Sequence, residues 1–419
     1  MIIKCRVCDS QNIKSILSLG FTPLANALLT VDQLDKPEEK YPLDLVFCEN
    51  CTLVQIVETV PPEKLFSQYF YNSSISQTTI ENAKQNTDNL INRLKLNELS
   101  AIIEIGSNDG YLLQNYVDHN IPVWGIEPAK NIAKVANEKG IRTWCGFFTN
   151  EQAKRFVGNT DSTKGWHILA DVVHANNVLA HVADLHSVIA GIKTLLKPNG
   201  VAVVETHYVR DLFDHVEFDC VYHEHLCYYS LHALEYLFGM HGMTLVDVER
   251  LPIHGGSLRA YFQPEDGPKT LMEKGKPRID KVFREEELFG LISSDYYQSL
   301  GDKVLSLKKR LTDLLKQLKK EDKTIAIYGA SAKSTTLLNY FGIDGNMIEY
   351  VVDDTPDKQG KFTPGTHIPI YSSSKLLQTQ PDYVLILTWN FASEIISKQS
   401  AYQKRGGHFI IPIPEVKII

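Results

Sequence analysis

Apolar residues cluster along this chain in short unbroken runs, separated by stretches of helical period, and the rhythm occurs twice. Over 101–105, 121–126, 141–145, 167–174 and 201–205 the runs have strand length and strand composition. Between them, 131–139 and 175–182 carry apolar positions at helical spacing, and 77–96 forms a helix leading into the first strand. Short runs that alternate with helices are the pattern of a parallel sheet buried on both faces. The alternation resumes over 324–328, 348–352 and 383–387. The fold class is therefore α/β, with two doubly wound Rossmann-like units. Between them, 284–319 is amphipathic, with Leu288, Leu291, Ile292, Leu300, Val304, Leu307, Leu311, Leu314 and Leu318 on approximately one stripe that packs on the second unit.

Each unit opens with a glycine turn between its first strand and helix. In the first, Gly106, Ser107, Asn108, Asp109 and Gly110 follow the strand, and Glu127 ends the next strand about twenty residues on. An acid there accepts hydrogen bonds from ribose hydroxyls, which fits NAD, FAD or S-adenosylmethionine. The turn favours the last. Its glycines are spaced more widely than in a pyrophosphate loop, and Asp109 would face the phosphates. In the second unit, Gly329 is followed by Ser331, Lys333, Ser334 and Thr335 at a helix N-terminus, which suits an anion such as a diphosphate.

At 419 residues the chain calls for two or three domains. A net charge of -7 and no basic block longer than residues 308–310 argue against a nucleic-acid partner. No apolar stretch approaches membrane-spanning length, and the N-terminus lacks the layout of a secretory signal, so a cytoplasmic protein is expected. Thiols stay reduced in that compartment. Cys5 with Cys8 and Cys48 with Cys51 then read as two knuckles of a structural, closed zinc site, with a hairpin inserted between them.

Three further stretches carry chemistry. Residues 66–74 interleave aromatic rings and hydroxyls, including Tyr71, which suits either a polar ligand site or interdomain packing. Residues 218–229 contain Tyr222, His223, Glu224 and His225. Helical spacing would put Tyr222 and His225 on one face as a hydroxyl and a base, and a satisfied structural cluster is the alternative. The histidines lack the spacing of a helical zinc site. Residues 254–259, with two glycines, Ser257 and Arg259, read as a turn able to close over substrate.

Taken in order, the paired cysteines, the Gly106–Gly110 turn, Tyr222 to His225, the turn ending in Lys333 and the segment from Asp353 through Lys361 resemble the nucleotide-sugar C-methyltransferases that act on C3 of dTDP-4-keto-deoxy sugars. The resemblance spans essentially the whole chain. It implies a zinc-binding module (1–75), an S-adenosylmethionine-dependent methyltransferase domain (76–250) and a C-terminal α/β domain (251–419) that grips a dTDP-sugar, in a monomer or homodimer. By position, Gly106, Asn108, Asp109, Gly110 and Glu127 would hold the cofactor, with Phe147, Phe148 and Asn177 nearby. His225 is the implied base, supported by Tyr222, Glu224 and His181. Tyr71, Ser331, Lys333, Asp353 and Lys361 are the implied substrate contacts. The family's glycine after the lysine is Ser334 here, which weakens the expectation of close backbone approach. Alternatives are an O- or N-methyltransferase on another small metabolite, an inactive sugar-nucleotide-binding protein, and an NAD-linked oxidoreductase activity of the C-terminal domain.

Overall fold

The computed structural model describes residues 3–66, 74, 76–158, 168–268 and 271–419. Tyr71 and most of the aromatic stretch around it lie outside the described residues. Three sheets organise the rest.

The first is antiparallel: Ile13–Pro23 pairs with Lys40–Cys48, which pairs with Val54–Ile56. The long hairpin between the two cysteine pairs is therefore present. Its fourth strand, Cys227–Tyr228, comes from the far end of the chemistry-rich loop and pairs with Val54–Ile56. The N-terminal module is thus completed by residues from the middle of the chain.

The second sheet has seven strands. Ile102–Ile105 lies between Val123–Glu127 and Ala170–Asn176, parallel to both, so the strand order reverses at this central strand. Ligands gather outside the carboxyl ends of strands at such a switch point. Leu196–His207 continues the parallel run, and Met243–Leu251 with Ser257–Pro264 adds an antiparallel hairpin. That hairpin corrects one expectation. Residues 254–259 are not a lid, because Ser257–Pro264 is a strand of this sheet. Arg259 points inward and forms a buried ion pair with Glu205 at 2.8 Å, which fixes Ser257–Pro264 as a core strand.

The third sheet places Ile325–Tyr328 between Tyr350–Val352 and Tyr383–Ile386, again all parallel and again with the order reversing at the first strand. Its approach differs from the single stripe expected over 284–319. The chain forms Met272–Phe289, Ser294–Gln298 and Leu300–Lys320 as separate helices. Gly290, at φ 80°, closes the first, and the Ser293 hydroxyl caps the second by accepting from Asp295 N. Leu288, 81% exposed, consequently leaves the stripe, whereas Val304, Leu307, Leu311 and Leu318 are buried.

Candidate active site

The first glycine turn is held by the acid that ends the next strand. Gly106 adopts φ 64°, and a Cβ there would collide with Val178, so only glycine lets the turn after Ala170–Asn176 come this close. Glu127 Oε2 accepts from Asn108 N at 3.0 Å and Oε1 from Ala129 N at 2.9 Å. Burial pushes the Glu127 carboxyl up, and those two amides pull it back. Beneath the turn, Glu104 on the central strand is held well above the usual carboxylate range by burial and by Glu127, Asp109 and Glu205. Asp109 Oδ2 pairs with Lys139 at 2.8 Å and with the Ser74 hydroxyl. Asp109 Oδ1 and Asn177 Oδ1 are buried without a partner among the described residues. Oxygen acceptors awaiting donors suit a ligand bearing an ammonium, a sulfonium and ribose hydroxyls better than a diphosphate. S-adenosylmethionine fits this turn. Of the two expected phenylalanines, Phe147 is exposed, while Phe148 is core packing against Gly191.

The turn carrying Asn177 leads directly to the histidines. Asn177, at φ 56°, is followed by Val178 and the short helical turn Leu179–His181, rather than the longer helix expected over 175–182. Leu226 N donates to Ala180 O at 2.6 Å, and Tyr229 Oη to Leu179 O at 3.0 Å, docking the 218–229 loop on it. Within that loop, His225 N donates to Tyr222 O at 2.9 Å, so the pair meets across a tight turn instead of along a helix face.

Tyr222 Oη lies 2.8 Å from His225 Nε2, and His225 Nδ1 lies 3.1 Å from the carbonyl oxygen of Cys220. A carbonyl only accepts, so Nδ1 carries the proton and Nε2 is the basic nitrogen, accepting from the Tyr222 phenol. The tautomer is set by the backbone of Cys220. The His181 ring packs 4.8 Å from His225, held by the backbone of Glu224. His207 stands 5.5 Å from His225 and 5.7 Å from His254, which adopts φ 58°.

Burial disfavours charge throughout this cluster. It pulls His181 and His254 down to about 4, and His225 and His207 well below the ordinary imidazole value. It pushes Glu224 up to about 7, against a hydrogen bond from Asn26. His223 turns away instead: its Nε2 meets Pro42 O at 3.2 Å, and its ring packs on Tyr41.

From the third sheet, Lys333 reaches into this region. Its Nζ lies beside Cys220 and Asp219, 4.5 Å from the centre of the Trp389 ring, and is buried without an acceptor in bonding geometry among the described residues. Trp389 Nε1 donates to Asp219 at 2.8 Å. Burial raises Asp219 to about 7, with Lys333 acting against it. The other expected substrate contacts are largely engaged within their own turn. Ser331 caps the helix Ala332–Phe341 in a reciprocal box with Ser334, which also donates to Gly329 O at 2.7 Å. Asp353 accepts from Ala330 N at 2.8 Å and pairs with Lys358 at 3.2 Å. It holds this second turn as Glu127 holds the first. Lys361 sits in the following loop, its carbonyl accepting from Ile370 N at 2.8 Å.

Among the described residues, the one His, Cys, Asp or Glu cluster able to hold a metal is Cys5, Cys8, Cys48 and Cys51, whose sulfurs lie within 4.8 Å of one another. Thiolates at ~2.3 Å from a tetrahedral zinc ion are separated by about 3.8 Å. Here Cys5 and Cys51 are 3.3 Å apart, and Cys8 and Cys48 3.5 Å. The set fits a structural zinc that leaves no open position. No helix among the described residues is long and apolar enough to cross a membrane.

Sequence reasoning missed Asn26, Cys220, Asp219, His207 and Lys358. Only His207, at the carboxyl end of a parallel strand, carried a signal, because that edge is where ligands sit.

Comparison with known proteins agrees with these units. Family models match for a zinc binding domain over residues 5–66, a methyltransferase domain over 80–248 and a C-methyltransferase C-terminal domain over 252–414. The chain is 34% identical over 418 residues to the C-methyltransferase NovU of Streptomyces niveus, covering 100% of this chain and 97% of that protein. It is 26% identical over 225 residues to the sterol 4-C-methyltransferase strm-1 of Caenorhabditis elegans, covering 49% of this chain and 63% of that protein. Among solved structures, the PH0226 protein from Pyrococcus horikoshii OT3 aligns with 15% identity and a TM-score of 0.36, over 49% of this chain and 100% of that one. The last likeness carries no argument. The full-length match to NovU, together with the three domain matches, shows that this chain belongs to the S-adenosylmethionine-dependent C-methyltransferases.

Proposed function

We propose that the acceptor is C3 of a dTDP-linked 4-keto-deoxy sugar and that methylation proceeds through an enolate. The observation that carries this reading is the His225 imidazole, neutral and of fixed tautomer, reached from the cofactor turn through Asn177 and His181. Carbon is a poor nucleophile until deprotonated, and a carbon beside a ketone is acidic because the carbonyl oxygen takes the charge. When bound, S-adenosylmethionine supplies an electrophilic methyl group. His225 Nε2 removes the C3 proton, directly or through the Tyr222 phenol that already lies on it. The negative charge then develops on the ketone oxygen. Tyr222 can hydrogen-bond that oxygen, and the Lys333 ammonium is close enough to His225 to act on it electrostatically. The second glycine turn, with Lys333, Asp353, Lys358 and Lys361 around it, supports the nucleotide end of such a substrate.

Mass spectrometry after incubation with S-adenosylmethionine and a panel of dTDP-4-keto-6-deoxy sugars in deuterated water tests this directly. The expected result is a product carrying a methyl group that resists hydrolysis, and deuterium at C3 of unmethylated sugar. Methyl transfer to oxygen or nitrogen, or methylation without exchange in a cofactor-free control, would overturn the enolate reading.

A further inference from the structure

The segment that leaves the first hairpin does not stay with the zinc-binding module. After Ile13–Pro23 the chain runs across the C-terminal domain, where Leu29 pairs with Phe362: Leu29 N donates to Phe362 O at 3.0 Å, and Phe362 N to Leu29 O at 2.8 Å. Thr335 Oγ1, on the helix behind the second glycine turn, donates to Ala25 O at 2.8 Å. Farther along, Glu38 accepts from His367 Nε2 at 2.7 Å and from Gly365 N. These anchors fix a strap on both sides of Asn26. Between them, Asn26 Nδ2 donates to Glu224 Oε1 at 2.7 Å.

Glu224 is buried, and its other oxygen, Oε2, has no partner among the described residues. A buried carboxyl with one satisfied oxygen is held in a single orientation by its one donor and keeps the other oxygen for something else. The backbone of the same residue holds the His181 ring against His225. We propose that Asn26 is a positioning residue for the reaction: the N-terminal strap reaches into the active site and orients Glu224, leaving Oε2 for the acceptor. This rests on the reading of 218–229 as the catalytic loop. Asn26 also favours the ionised form of Glu224, since its amide donates to a carboxylate more strongly than to a neutral acid. The charged and titratable groups in or beside that loop are Asp219, Glu217, Lys333, His181, His207, His254, Glu58 and Arg6.

The test compares wild type, Asn26→Leu, Glu224→Gln and the double variant, all as full-length zinc-loaded protein. Leucine keeps the volume and removes the donor. Acting through Glu224, Asn26→Leu should lower kcat by about 10-fold or more and leave the cofactor Kd unchanged. In the Glu224→Gln background the same change should cost less than about 2-fold. Infrared titration of the protonated carboxyl band that disappears in Glu224→Gln should show its midpoint moving up in Asn26→Leu. Equal fractional losses in both backgrounds, or an unmoved midpoint, would overturn the proposal. If Asn26→Leu does not fold, Asn26→Ser, with a shorter donor, is read in the same way. The infrared readout needs no acceptor, so it decides the role of Asn26 even if no sugar nucleotide is methylated.

Discussion

His225 Nδ1 faces the carbonyl oxygen of Cys220 at 3.1 Å, so a backbone group, rather than a carboxylate, fixes the tautomer of the base. A carboxylate in that place would raise the imidazole's proton affinity. The neutral carbonyl orients the ring and leaves burial to dominate, which holds His225 well below its ordinary value.

The sign of the pH dependence follows. Protonation disables the base, and a depressed value means protonation occurs only well below the ordinary imidazole value of ~6.5. The acid limb of kcat/KM assigned to His225 should therefore lie below that value. A limb near 7 would belong to Glu224 or Asp219, which burial raises to about 7, and it should vanish in Glu224→Gln or Asp219→Asn. Rates measured across the pH range with wild type and these variants separate the two.

His225→Ala should retain cofactor binding and lose turnover by ~10²–10⁴-fold, the range for a missing general base. Tyr222→Phe removes a single hydrogen bond to Nε2 and should cost less, about 10-fold in kcat. Deuterium exchange at the acceptor carbon without cofactor should fall in parallel with both.

Lys333→Met should lower both stability and activity. The ammonium is buried beside Cys220, Asp219 and Glu217, so an apolar replacement of similar length leaves Asp219 buried without its counter-charge and should lower Tm. Lys333 also disfavours the imidazolium at His207, His225 and His254, so its loss should shift the acid limb upward. If the ammonium faces the developing oxyanion, kcat should drop by ~10²-fold. A lower Tm with unchanged kcat would assign Lys333 to packing.

Glu127→Ala removes both acceptors that hold the amides of Asn108 and Ala129. The cofactor Kd, measured by calorimetry, should rise by about 10-fold or more, with a smaller change in KM for the acceptor.

Stripping zinc with a chelator, or replacing Cys48 by serine, should lower Tm and also abolish methyl transfer. The second effect follows because the module's sheet is completed by Cys227–Tyr228, directly after His225. Metal content, thermal denaturation and turnover measured on one preparation check it.

What the sequence revealed and concealed divides by distance along the chain. The cysteine knuckles, the Gly106 turn with Glu127, and Tyr222 with His225 are local patterns, because each chemistry demands a fixed spacing. Two misreadings had physical causes. The stripe over 284–319 contained Gly290 and Ser293, which end one helix and start the next despite continuous hydrophobic period. The turn at 254–259 looked flexible because its glycines outweighed Arg259, whose partner Glu205 lies on another strand. Asn26 had no local signature at all. Its meaning comes from Glu224, far along the chain, and only folding brings the two together.

The strand exchange at Cys227–Tyr228 bears on how such enzymes can be recombined. A cut after residue 75 would strip Val54–Ile56 of its neighbour and leave a buried, apolar edge open, an invitation to self-pairing. A chimaera built to change the acceptor by exchanging the C-terminal domain alone would meet a foreign strap at Ala25, Leu29 and Glu38. Grafts that move residues 24–38 together with the C-terminal domain keep that seam intact, and the natural unit of exchange in this protein is therefore discontinuous in sequence.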